Sequence, residues 1–169
     1  MNHRFNELAR AGFVFEFEHV RRGVVIDRWT QHNLMPIEGL NHLLGVLLKG
    51  STQIGTWYCG LYEGNYTPIS TDTAATFSAS ATETTAYVEA TRVPIVFGAV
   101  AGGTVNNAAS KAEFTLNADK TIYGGFIASS AAKGATAGVL LSAIKLSSPK
   151  APTAGDILRA TAGFTIASL

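Results

Sequence analysis

The run DRWTQHNLMPIEGLNHLLGVLLKGSTQIGTWYCGLY, residues 27–62, decides the fold. Here β-type patterning gives way to a clear helical pattern and then resumes. Pro36 suits a first helical turn, where a missing N–H costs nothing. Ile37, Leu40, Leu43, Leu44, Val46, Leu47 and Leu48 follow at three- and four-residue steps, with Glu38, Asn41, His42 and Lys49 on or near the other face. Lys49 and then Gly50 form a basic last turn and a glycine stop. The spacing therefore predicts one α-helix over about 36–49. So apolar a helix is expected to be covered by the strands on either side of it, as a plug on which a β-structure is assembled.

Composition sets the frame for that structure. The chain has 169 residues, most simply one domain able to bury a core without metals or disulfides. Hydrophobic residues make up 47% and charged ones only 15%, with a mean hydropathy of +0.19. That balance is apolar for a lone monomer and implies surface covered by other subunits. A net charge of +1 supplies no basic field for nucleic acid. No run approaches the ~20 apolar residues of a membrane span, and MNHRFNELARAGF has no signal-peptide pattern, so synthesis in a cytoplasm is expected. The single cysteine, Cys59, excludes an intrachain disulfide and a thiolate metal cage, and in the apolar run 57–61 it reads as a small buried hydrophobe.

Outside the helix the patterning is that of strands. Phe13, Phe15 and Phe17 alternate with Val14, Glu16 and Glu18. With the turn Arg21-Arg22-Gly23 and a return over 24–29, residues 13–29 read as a hairpin. Ile54–Tyr62 is a β-prone apolar strand. Residues 66–85, YTPISTDTAATFSASATETT, lack aliphatic periodicity. Only Ile69 and Phe77 could anchor them, with Ser70 or Asp72 available to cap a short helix. Further strands are expected over 87–97, interrupted by Pro94 at an edge or bulge, and over 112–116, 121–129, 139–146 and 157–167. Asn117–Lys120 reads as a hairpin-type connection. About eight strands spaced by turns predict a mainly β chain: an antiparallel β-sandwich or jelly-roll-like barrel over 13–169 with a long loop at 66–85, preceded by an N-terminal arm at 1–12.

No residue set carries recognisable chemistry. His3, His19, His32 and His42 stand outside any metal-ligand spacing. His42 reads as the polar edge of the helix and His32 as part of the turn before Pro36. Glu16 and Glu18 share a strand face and could pair as glycosidase carboxylates, but acidic residues opposite an aromatic face are the expected solvent side of a half-buried strand. Gly102-Gly103 and Gly124-Gly125 lack the strand-to-helix context of a phosphate cradle. Trp29, Trp57, Tyr58, Tyr62 and Tyr66 could form a sugar-stacking platform, and otherwise belong to the core or to a subunit interface. The expectation is a non-enzyme with no cofactor, no metal, no direct nucleic-acid partner and no membrane partner.

Several motifs are similar to those of small structural proteins from the virion-gene clusters of tailed bacteriophages. They are Trp29 and Asn33, the turn Glu38-Gly39-Leu40-Asn41, the strand Trp57-Tyr58-Cys59-Gly60-Leu61, then Glu89-Ala90-Thr91-Arg92, Asn107-Ala108-Ala109 and Ile122 to Ile127. The resemblance spans residues 20–169. In size and lack of chemistry the head decoration, or cement, proteins of that group fit best. It implies a protein on the outer surface of the virion head that binds the major capsid protein of the assembled shell and ties capsomers together. A neck, tail or fibre component, with receptor or glycan binding, is the alternative. Closed symmetry makes a homodimer or homotrimer the default. The expected contact segments are 1–12 and 66–85, with Phe5 and Leu8 in the first, Tyr66, Ile69 and Phe77 in the second, and Tyr62 just before it.

Overall fold

The computed structural model describes residues 10–167. Nine strands and two helices follow in the order β1 (Arg10–Arg21), β2 (Val24–His32), α1 (Ile37–Lys49), β3 (Trp57–Tyr62), α2 (Ala74–Ser80), β4 (Val93–Ile95), β5 (Thr104–Asn106), β6 (Ala112–Thr115), β7 (Ile122–Ala128), β8 (Leu140–Lys150) and β9 (Ile157–Ala167). The chain is a β-sandwich of two antiparallel sheets. The first has the order β2-β1-β9-β5, with β6 also on β9, and the second β4-β3-β7-β8.

The hairpin forms as the sequence demands. Arg22 and Gly23 both adopt positive φ, 50° and 79°, the two-residue turn whose twist matches the flanking strands. β1 runs its whole length against β9, from Arg10 opposite Ala167 to Val20 opposite Ile157. Strand structure thus begins at Arg10, and the expected arm at 1–12 gives up residues 10–12 to the sheet. Phe13, Phe15 and Phe17 all point into the core, with adjacent rings 6.1 Å apart. Pro94 sits on the edge strand β4, where its missing N–H removes no ladder bond. The expected strand over 87–97 shrinks to 93–95 around it. Asn117–Lys120 is not a hairpin: β6 pairs with β9 and β7 with β3 and β8, so the segment crosses between sheets.

The second sheet is buried on both faces. Cys59, Leu61, Ile127 and Ile144 face the sandwich core, whereas Tyr62, Phe126, Leu140 and Ala143 face a second cluster with Ala74, Phe77 and Ala81. Its cover is the Thr/Ala segment, so 66–85 is a packed third layer rather than a free loop. α2 is closed by a reciprocal capping box between Thr73 and Thr76. Phe77 then meets Tyr62, Tyr66 and Phe126 at ring distances of 5.7, 5.9 and 5.2 Å. Gly60 and Gly124 make this possible: a Cβ at Gly60 would strike the Phe126 ring, and one at Gly124 the Tyr62 ring.

Arg92 clamps that layer. Its guanidinium is fully buried, donates to both Glu83 oxygens at 2.8 and 2.6 Å, and also reaches Ser78 Oγ and the carbonyls of Ser130 and Ala135. Its fork is filled, which is the condition for a charge to be kept out of water.

Candidate interaction surface

α1 is not a plug. Gly50 is its left-handed C-cap (φ 69°), as expected, and Pro36, expected in the first turn, is instead the extended N-cap just before it; Gly39 is the one buried residue of the helix. The helix lies on the outside, along β8. Gly39 rests on the backbone of Leu140 and Leu141, so close that a Cβ there would stand 2.6 Å from the Leu141 carbonyl oxygen. Glu38 supplies the polar anchor: one carboxylate oxygen accepts from Ala74 N at 2.8 Å and from Leu140 N at 2.6 Å. A single side chain thereby joins α1, the first turn of α2 and β8. Leu43 packs on the core and His42 meets the Trp57 ring edge-on at 5.6 Å. Ile37, Leu40, Leu44, Leu47 and Leu48 are left facing solvent.

Beneath α1 a gap lined by residues of both sheets leaves one end of the sandwich open. An apolar groove of about 240 Å³ lies there, lined by Phe13, Phe164, Leu43, Val46, Trp57 and Phe97 among others. A second hollow of about 550 Å³ continues it, sharing Ile54, Trp57, Phe97 and Val105 and adding Ile95, Val96 and Val100. Val96 and Val100 are 58% and 76% exposed on its rim. Asn33 braces the region by accepting from Phe13 N and donating to Ser142 Oγ, both at 2.8 Å. It is Asn33, not the exposed His32, that organises the turn before Pro36.

The charged groups form structural clusters. Glu18, expected on the solvent side, is buried because Arg28 and Lys111 close over it at 3.0 and 2.9 Å, with Arg159 at 4.0 Å. Hydrogen bonding to Lys111, more than the attraction of the other cations, holds its carboxyl below the usual range. That is the opposite of what a glycosidase acid requires. Asp156 is buried too and is likewise held low, chiefly by the Arg21 guanidinium at 2.7 and 2.9 Å, with His19 and the Thr153 amide at 2.8 Å. Among the described residues no group of three or more His, Cys, Asp or Glu could hold a metal ion, and no helix is long and apolar enough to cross a membrane.

The expected contact residues divide. Phe5 and Leu8 lie outside the described residues. Tyr62 and Phe77 belong to the core, the first donating its hydroxyl to the Ile144 carbonyl at 2.8 Å, and neither can meet a partner without opening the third layer. Tyr66 is half-buried. Its hydroxyl donates to Asp72 at 2.7 Å, and that bond raises its pKa to about 12. Ile69 remains exposed, and Ile37 N donates to the neighbouring Ser70 carbonyl at 2.9 Å, which sets it beside the start of α1. Trp29 stacks on Phe17 at 5.5 Å under the Lys150 ammonium, so it offers no open ring face there. Sequence reading missed the α1 outer face, Val96 and Val100, since apolar residues at helical spacing do not disclose which side is covered.

Comparison with protein-family models, with curated proteins and with solved structures finds no match to this chain.

Proposed function

We propose that this is a non-enzymatic structural protein of a tailed-phage virion, a decoration protein that binds the assembled head shell and stabilises contacts between capsomers. The reading rests on the motif resemblance in residues 20–169. The observation that carries it here is the apolar open end, a groove rimmed by exposed Val96 and Val100. A groove of this kind accepts one or two aliphatic side chains from a shell protein, each adding ~1.5–3 kcal/mol before association costs. Multiplied over many copies, such contacts resist the outward pressure of packaged DNA. The glycan-binding alternative draws on Trp29, Trp57, Tyr58, Tyr62 and Tyr66; of these Tyr62 and Tyr66 have their hydroxyls engaged within the fold and Trp29 is stacked between Phe17 and Lys150, which leaves Trp57 and Tyr58.

The test is co-sedimentation of the purified chain with heads that lack it. Saturable binding at a fixed ratio to the major shell protein, lost in Val96→Asp/Val100→Asp, supports the proposal. Binding to tails or necks only, or none at all, overturns it.

A further inference from the structure

α1 carries two apolar faces, and among the described residues only one of them is used. Gly39, His42, Leu43 and Val46 look inward onto β8, Trp57 and the groove. Ile37, Leu40, Leu44 and Leu47, with Leu48 beside them, look outward and are between 38% and 74% exposed. The outward steps are three, four and three residues. That is the spacing of a coiled-coil seam, which only another helix meets along its length.

We propose that the partner of this seam is α1 of a second copy, packed antiparallel about a two-fold axis near His42. Three observations favour that occupant. The seam is symmetric about residue 42, so an antiparallel copy sets Leu40 against Leu44 and Ile37 against Leu47 with every knob matched, the self-complementarity a two-fold axis requires. Charge also permits it. Glu38 is turned inward onto two backbone amides, leaving Lys49 as the one free charge on the helix. Antiparallel packing keeps the two Lys49 ammonium groups about 20 Å apart and opposes the helix dipoles, whereas parallel packing brings both ammonium groups together. Area agrees as well. The five exposed side chains amount to roughly 500 Å² per copy, so their full burial gives about 1,000 Å² for a pair, the size of a weak, reversible interface. Ile69, exposed beside the start of α1, adds to it.

The dimer does not depend on what the open end binds. Failure to bind shells leaves it untouched, and a monomer leaves the shell reading untouched. Sedimentation of the full chain between about 1 and 100 µM is expected to show monomer converting to dimer, with association at least ~100-fold weaker in Leu44→Glu, at unchanged circular dichroism and with a thermal midpoint that matches the native chain at about 1 µM, where both are monomers. Orientation is read by oxidative cross-linking. A Leu40→Cys chain mixed with a Leu44→Cys chain is expected to cross-link, and each alone is not. The native Cys59 does not interfere, since it is fully buried and burial lifts its thiol to about 12. A monomer at all concentrations overturns the proposal. So does self-cross-linking of either single variant, or a dimer that survives Leu44→Glu but is lost on removing residues 1–9.

Discussion

A guanidinium withdrawn from water must be paired where it stands, and Arg92 is paired with Glu83. Deleting one partner strands the other, so Arg92→Met and Glu83→Gln should each cost about 3–5 kcal/mol in urea unfolding. Replacing both by apolar residues should cost less than either alone, because no orphan charge remains. Asp156 makes a prediction about pH. Its folded-state pKa lies below the unfolded value of ~3.9, so its contribution is whole above about pH 5 and drains away as pH falls through and below 4. Glu18 acts with the same sign. Asp156→Asn should lose about 1–3 kcal/mol near pH 7 and little near pH 2, flattening the acid limb of a stability–pH curve. Tyr87 is the converse case: its buried hydroxyl has no hydrogen-bond partner among the described residues, and Tyr87→Phe should leave the unfolding midpoint unchanged or raise it by up to ~1 kcal/mol equivalent. None of these pairings was legible in the sequence. Arg92 and Glu83 are nine residues apart, but His19 and Asp156 are 137 apart, and spacing alone identifies neither as a pair.

Among the elements, α1 shows both what the sequence discloses and where it stops. Its existence, its proline start and its glycine stop follow from local rules that act within one turn. Its placement does not, because a helix apolar on two sides gives no sign of which side meets the sheet. The discriminating residue is Gly39, the contact point with β8, and the expectation of a plug weighed the leucines instead. Gly39→Ala should gain ~1 kcal/mol in helix propensity yet lose ~1–3 by lifting the helix from Leu141, for a net loss seen as a lower thermal midpoint. Glu38→Ala should release the α2 cap and the β8 contact together, costing about 1–2 kcal/mol. The 66–85 segment misled in the opposite direction. Its alanines and threonines carry no aliphatic period, yet small side chains are what let α2 settle closely on a sheet whose own glycines leave room for the Phe126 and Tyr62 rings that Phe77 packs against.

For the whole molecule, the strand count and turn signals sufficed for a sandwich, since alternation and punctuation are local. The assignment of strands to sheets was not legible, because β6 and β7 are consecutive yet belong to different sheets. Nor was the third layer. The molecule that results is closed along one side, where Leu34 and Ala143 exchange backbone hydrogen bonds of 2.9 and 3.0 Å, closed over the second sheet by α2, and open at the end beneath α1. Among the described residues the outer seam of α1 and the open groove are both apolar and exposed; as proposed above, a second copy meets the first and the shell meets the second. Electron cryo-microscopy of heads reconstituted with the purified chain tests that division most directly. The expected result is paired sandwiches bridging neighbouring capsomers, with the Val96–Val100 rim turned toward the shell and α1 against α1. Density confined to the portal vertex or tail, or a shell contact made by the Arg21–Asp156 end instead, would contradict it.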